Sequence, residues 1–366
     1  MLTPQESQVL EIIRANPYAS QQEMADQLGM PRSTLAGIIS GLVQQNLILG
    51  RAYILNDHPY IVCIGGMNVD RKYHLKGVLQ EGTSNPVTSN LSVGGVARNI
   101  AENLGRLGLD VRMLSLAGQD QDFQIIRQET QDFVNLQSVT LMRDQSTSTY
   151  TAILDAEGDM QIAYADMDIC DHMSQAWLEA NQGQLLKAKF IVCDLNLPLE
   201  ATKWLIEFCD RHQLPLAVIP VSQPKMAHLP ADLHGVEWLV VNRGESYAYF
   251  DLDFDQNFGL EQLAQAWLDK GVKNIIITNG SQSFVYGNQD QIETYPVIQA
   301  DKVVDATGAG DAFSAGIIYG AVQGFQHEKS LQLGLVNAYK TIQSPQTVRL
   351  DLTAKRLLQE WQQKFH

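Results

Sequence analysis

Cysteine is scarce, and the four residues present, Cys63, Cys170, Cys193 and Cys209, stand far apart with no C-x-x-C pair. That spacing excludes a disulfide framework and argues against Cys or Cys/His metal clusters, so buried free thiols in a reducing compartment are expected. Positive charge is also short, with 26 Lys and Arg against 41 Asp and Glu and a formal net charge of −15. Such a surface disfavours a mainly electrostatic nucleic-acid binder and adsorption to an anionic membrane. No apolar run approaches the ~20 residues that span a bilayer. The opening "MLTPQESQVLEIIRANP" lacks the basic-then-apolar order of a signal peptide, so a cytoplasmic protein with no membrane partner is expected. Missing too are the Walker A pattern and, at "GGVARN", the G-x-G-x-x-G fingerprint of dinucleotide sites. Internal repeats and low-complexity segments are absent.

What is present divides the chain at about residue 57. Val9, Leu10, Ile12 and Ile13 suit one face of a helix that Pro17 ends. Ser20 and Glu23 form the pattern of a capping box, Gly29 stops the second helix, and Pro31 suits the first turn of a third. Three short helices with a glycine turn read as a helix-turn-helix. "NLILGRAYIL" follows as strand, turn at Gly50, and strand. Residues 1–57 together resemble a winged helix-turn-helix of the kind found in bacterial transcription regulators. This segment holds three arginines against five carboxylates. Arg32, Ser33 and Thr34 at the start of the third helix could meet phosphate and bases. The acidic balance leaves a dimerisation or regulatory module equally open.

From Ile61 the rhythm changes. "YIVCIGG", "KFIVCDL", "LPLAVIPV", "VEWLVVN" and "NIIITNG" are apolar runs of the buried-strand kind, and helical segments separate them. "STSTYTAILDAEGDMQIAYADM" alternates around "DAEGD" as a hairpin would. Residues 58–366 therefore read as an α/β domain with a mainly parallel sheet covered by helices, and ligands in such folds bind at the carboxyl ends of the strands. "VVDATGAGDAFSAG" places Gly308, Ala309 and Gly310 at a helix start, where backbone N–H groups and the helix dipole attract anions, with Asp311 directly behind.

These stretches carry a resemblance. "DATGAGDAFSAG" and "SVGGVARNIAENLGRLG" resemble the two signatures of the ribokinase-like (PfkB) sugar and nucleoside kinases. "GGMNVD", "VVNRGES" and "ITNGSQS" are similar to three further elements of that family, in the correct order over about 300 residues. The resemblance implies a three-layer α/β/α sandwich with a small β-lid, and ATP-dependent phosphorylation of an alcohol. It implies Asp311 as general base and the N–H groups of Ala309, Gly310 and Asp311 as the anion hole. Asn68, Asp70, Gly94, Gly95 and Asn99 would hold substrate hydroxyls. Asn242, Glu245, Thr278, Gly280 and Asn337 would serve the nucleotide, with Glu245 reaching Mg²⁺ through water. Asp305 matches a position that helps bind a monovalent cation, K⁺, in several relatives. Thr149 and Asp166, on the lid hairpin, are candidates to meet a nucleoside. "TSTYTAILDAEGDMQIAYADMDI" and "PVSQPK" are similar to pseudouridine kinases, which phosphorylate a 5′-hydroxyl. Inosine, adenosine and sugar kinases share most of the same motifs, and a ligand-sensing regulator with a kinase-like domain is a third reading. Two departures stand out: Ser283 replaces the second glycine of the T-x-G-x-x-G turn, and Ile219-Pro220 precedes "VS" where many pseudouridine kinases have Asp-Pro. Relatives are often dimers, so a homodimer is a further expectation.

Overall fold

A computed structural model of the chain describes residues 2–16, 19–44, 47–48, 59–155, 157–253 and 258–366. The chain divides into two compact units, Met1–His58 and Pro59–His366. The first contains α1 (Pro4–Ala15), α2 (Gln21–Leu28) and α3 (Arg32–Gln44). Thr3 and Ser20 cap α1 and α2, each reciprocated by a glutamate three residues on. Gly29, with φ of 62°, ends α2. Val9, Met24, Leu35 and Leu42 close a small core, which leaves Arg32, Ser33 and Thr34 exposed at the start of α3. The expected strand–turn–strand at "NLILGRAYIL" lies, apart from Leu47 and Ile48, outside the described residues.

The second unit opens with β1 (Tyr60–Ile64), β2 (Asn68–Leu75), β3 (Val87–Gly94) and α4 (Val96–Arg106). Next come β4 (Val111–Leu114), β5 (Leu116–Gly118), α5 (Gln121–Thr130), β6 (Thr140–Met142) and the hairpin of β7 (Thr149–Leu154) and β8 (Met160–Asp166). Helices α6 (Gln175–Ala180) and α7 (Gln182–Leu185) lead to β9 (Ala188–Asp194), α8 (Leu199–His212), β10 (Leu216–Ile219) and β11 (Trp238–Asn242). After α9 (Arg243–Phe250) and α10 (Leu260–Leu268) run β12 (Asn274–Thr278), β13 (Ser283–Gly287) and β14 (Ile292–Pro296). Helices α11 (Ala309–Val322), α12 (His327–Thr341) and α13 (Ala354–Phe365) complete the unit.

Eight strands form one sheet in the order β14-β13-β12-β11-β10-β9-β1-β4. It is parallel from β12 to β4, with β13 and β14 added antiparallel at one edge. Apart from the edge strand β14, both faces are largely buried, which is why the parallel strands read as unbroken apolar runs. Val62 and Ile64 join the core under α8 and α10, while Ile61 and Cys63 join the core under α4, α11 and α12. All four cysteines are buried free thiols.

A second sheet, β3-β2-β7-β8, stands apart from the first. β2 leaves β1 after only Gly65, Gly66 and Met67, so this lid grows directly from the carboxyl end of a central strand. Its register sorts the side chains by face. Asn68, Asp70 and Lys72 alternate with Val69 and Arg71, and cross-strand partners share a face. Arg71 pairs with Asp122 of α5 at 2.6 Å on one side, and Lys72 reaches Asp305 at 3.2 Å on the other.

Candidate active site

Thr278 at the carboxyl end of β12 meets the start of α11 at one cavity, and Asp194 at the end of β9 links the β1–β2 turn to the start of α4. Gly308 is the N-cap of α11, with φ of 79°, and a Cβ there would stand 2.2 Å from the carbonyl oxygen of Thr347. Only glycine fits that approach. Ala309 N–H bonds to the carbonyl of Ala306 (3.2 Å), so it is already engaged. The amides of Gly310 and Asp311 belong to the first turn, where no carbonyl lies one turn back within the helix. A Cβ added to Gly310 would meet open space.

Asp311 lies in the first turn of α11. Solvent reaches part of its side chain, but protein surrounds the rest. Asn99 Nδ2 donates to Asp311 Oδ2 at 2.7 Å. Burial pushes the carboxyl up to about 7; the Asn99 bond and Arg98 work against this, and the charges of Asp194 and Asp70 add to it. Asn68 Nδ2 donates to Asp70 Oδ1 at 2.6 Å, and burial raises the Asp70 carboxyl as well. Gly94 faces Asn68 across the sheet, and a Cβ on it would meet Asp70 Oδ2 at 2.3 Å. Gly95 caps α4, whose first turns carry Arg98 and Asn99. The structure thus brings Asn68, Asp70, Gly94, Gly95, Asn99 and Asp311 into one group.

Across the start of α11 lies an apolar cavity of about 520 Å³. Thr278, Gly280, Ala309 and Gly310 sit on its walls with Phe284, Ile298, Phe313 and Tyr339. Asn242 and Glu245 lie beside it, since Asn242 pairs with Thr278 in the sheet. They cap α9 reciprocally: Glu245 N–H donates to Asn242 Oδ1, and Asn242 N–H donates to Glu245 Oε2, both at 2.8 Å. Burial raises the Glu245 carboxyl. With one oxygen committed to the cap, Glu245 suits a water-mediated contact to a hydrated ion better than direct ligation. Among the described residues no group of three or more His, Cys, Asp or Glu could hold a metal. A larger groove of about 690 Å³, beside Leu109, Phe123 and Phe133, shares no residue with this cluster.

Four expected residues sit differently from the expectation. Asn337 does not line the cavity: it is fully buried, and its Nδ2 bonds Asn103 Oδ1 and Ala312 O, both at 2.9 Å. It ties α12 to α4 and α11, while its neighbours Ala338 and Tyr339 face the cavity. Thr149 and Asp166 pair with each other and with Val69, so they occupy the lid face opposite Asp70. The positions level with Asp70 on its own face are Ser92, Tyr150 and Ala165. Asp305 has both oxygens engaged, Oδ1 by Thr307 N–H at 2.8 Å and Oδ2 by Lys72 Nζ at 3.2 Å. The cation beside Asp305 is therefore Lys72.

Asp194 was not singled out from sequence. Fully buried at the end of β9, its carboxylate accepts from the N–H groups of Gly66, Ala97 and Asn196 at 2.9–3.0 Å. It fastens the β1–β2 turn to the start of α4. The available signal was a charge closing an apolar run, "KFIVCD". No helix among the described residues is long and apolar enough to cross a membrane.

Residues 58–354 match the family described as pfkB family carbohydrate kinase, and residues 2–51 match the MarR family. The chain is 30% identical over 341 residues to an uncharacterized sugar kinase, YeiI, of Escherichia coli strain K12, covering 91% of this chain and 92% of that one. It is 28% identical to the pseudouridine kinase of the same organism, over 76% of this chain and 88% of that one. Arabidopsis thaliana ribokinase, solved with ribose and ATP, shares the fold with a TM-score of 0.72 at 19% identity, over 83% of this chain and 98% of that one.

Proposed function

We propose, for a chain that belongs to the pfkB family of carbohydrate kinases, that it transfers the γ-phosphoryl group of ATP to the 5′-hydroxyl of a nucleoside, pseudouridine first among the candidates. A hydroxyl-accepting sugar or nucleoside kinase is the coarser statement that family membership carries. The observation behind the reading is the placement of Asp311. Its carboxylate stands at the start of α11, with the polar group of Asn68, Asp70 and Asn99 on one side and the apolar cavity on the other.

In this reading the purine of ATP fills the cavity beside Phe284 and Tyr339, and its phosphates lie along the amides of Gly310 and Asp311. Asp70 and Asn68 grip the ribose hydroxyls in paired hydrogen bonds, and Tyr150 and Ser92 face the base. Asp311 accepts the proton of the 5′-hydroxyl as bonding to phosphorus develops. A carboxyl near 7 is better matched to that task than one near 4. Glu245 would hold a hydrated Mg²⁺ through water, and that ion would supply charge neutralisation on the triphosphate. The first-turn amides offset the repulsion between Asp311 and phosphate. The match of 28% to a pseudouridine kinase supports a nucleoside acceptor, with pseudouridine among those to try first. The test is ATP consumption against a panel of nucleosides and sugars. Pseudouridine should give the highest kcat/KM; a plain sugar exceeding every nucleoside would overturn the assignment, and no turnover with any acceptor would favour a ligand-sensing regulator.

For the first unit we propose DNA binding through Arg32, Ser33 and Thr34, the exposed first turn of α3 in a MarR-type domain. A gel shift at low salt with DNA from the chain's own operon tests it. No shift below micromolar protein would favour a dimerisation or regulatory module.

A further inference from the structure

Arg98 lies one residue before Asn99 on α4 and is 2% exposed. Its guanidinium donates in four directions: Nε to Thr130 Oγ1 (3.1 Å), Nη1 to the carbonyl of Val93 (3.2 Å) and to Asn99 Oδ1 (2.8 Å), and Nη2 to Glu102. Glu102 is held in turn by Arg106 Nε at 2.7 Å. A buried arginine in this fork is rigid. It can only donate, whereas an ionised carboxylate can only accept. Asn99 stands between the two. One amide orientation alone satisfies both neighbours: oxygen toward Arg98, nitrogen toward Asp311.

We infer that Arg98 is a positioning residue for the phosphoryl transfer, acting through Asn99: it fixes the amide so that an N–H always points at Asp311 and keeps that carboxylate ionised. Without Arg98 the amide is free to turn over. Its carbonyl would then face Asp311, and an oxygen facing an oxygen is satisfied only when the aspartate carries a proton. The base would be held in its inactive form at neutral pH. The charged groups acting on Asp311 are Asp194 from β9, Asp70 from β2 and Arg98 from α4. Two of the three are negative, so removing Arg98 tips the field further against the ionised form. An arginine acting through its charge alone would be replaced fully by lysine, whereas one that fixes the amide would not.

The inference rests on Asp311 as the proton acceptor. The experiment is the pH profile of kcat/KM for the acceptor in the full chain, with parent, Arg98→Met and Arg98→Lys compared. Arg98→Met should move the acid-side midpoint upward by about one unit, a loss of about fivefold at pH 7 that approaches about tenfold below pH 6 and closes toward pH 9. KM for ATP should stay within about twofold, since the cavity does not involve α4. Arg98→Lys, which keeps the charge beside Glu102, should fall between. Should Arg98→Met fail to fold, Arg98→Gln, a smaller change that still removes the charge and the fork, carries the same expectation. Coincident midpoints for parent and variants would overturn the inference. Near-normal turnover in Asp311→Asn would take down the base assignment and this inference with it. An inactive Asp311→Asn beside an unmoved Arg98→Met profile would take down this inference alone.

Discussion

Replacing Asp311 by asparagine should make the protein more stable and far less active, and the two effects have separate physical origins. The asparagine keeps the shape and can still accept the bond that Asn99 donates. What it removes is a titrating group whose carboxyl is raised from 3.8 to about 7 by burial. Between those values the folded protein retains a proton that the unfolded chain has released, so stability falls as pH rises across that window. A shift of roughly three units has a ceiling of about 4 kcal/mol, at about 1.4 kcal/mol per unit. Water reaching the carboxylate screens it, so a gain of about 1–2 kcal/mol is expected, or about 2–4 °C in Tm. Because the asparagine does not titrate, the gain should be full above pH 7, shrink as pH falls, and vanish below about pH 4. Thermal unfolding followed by tryptophan fluorescence reports the right unit, since all five tryptophans lie beyond residue 58. Turnover, read from ADP release, should fall by about 10²–10⁴-fold for loss of a general base. An asparagine variant less stable than its parent at pH 8.5, or with a gain equal at pH 5 and pH 8.5, would refute the argument about burial. Near-normal turnover would refute the catalytic assignment independently.

Three further outcomes follow from the same geometry. Asp70→Ala should raise KM for the acceptor strongly while KM for ATP changes little; an unchanged acceptor KM would remove Asp70 from the sugar site. Gly308→Ala forces a side chain into a left-handed backbone and against the carbonyl of Thr347. It should cost about 2–4 kcal/mol and lower Tm by several degrees, and a variant with the parent's Tm would contradict the described turn. Replacing K⁺ by Na⁺ should leave the rate of the parent unchanged, because Lys72 already serves Asp305; marked activation by K⁺ would show that the lysine does not substitute for a metal ion.

The central sheet was legible because its strands are buried on both faces and so appear as uninterrupted apolar runs between helical segments. The Gly308–Asp311 turn was legible because its chemistry is local: small residues, a helix start and a carboxylate within four positions. The lid shows where such reading stops. Thr149 and Asp166 stand in the right strands, but which face they occupy depends on their register with Val69, and a shift of one residue reverses every side chain. Asn337 was misplaced for a related reason, since helix positions one residue apart point about 100° apart. Asp194 and Arg98 were missed because their meaning lies in partners. Asp194 collects amides from segments as far as 128 residues away, and Arg98 matters through the orientation that it imposes on Asn99.

In the proposed reading, the lid sheet is also the sugar clamp. Asp70 and Lys72 are not merely covered by it; they belong to its strand β2, which joins the central sheet through Gly65, Gly66 and Met67. In that reading a swing of the sheet would withdraw the carboxylate from the acceptor and the lysine from Asp305 in a single stroke. Admission, grip and release are therefore one mechanical coordinate, and a substitution in the three-residue stalk would retime all of them without touching a reacting atom.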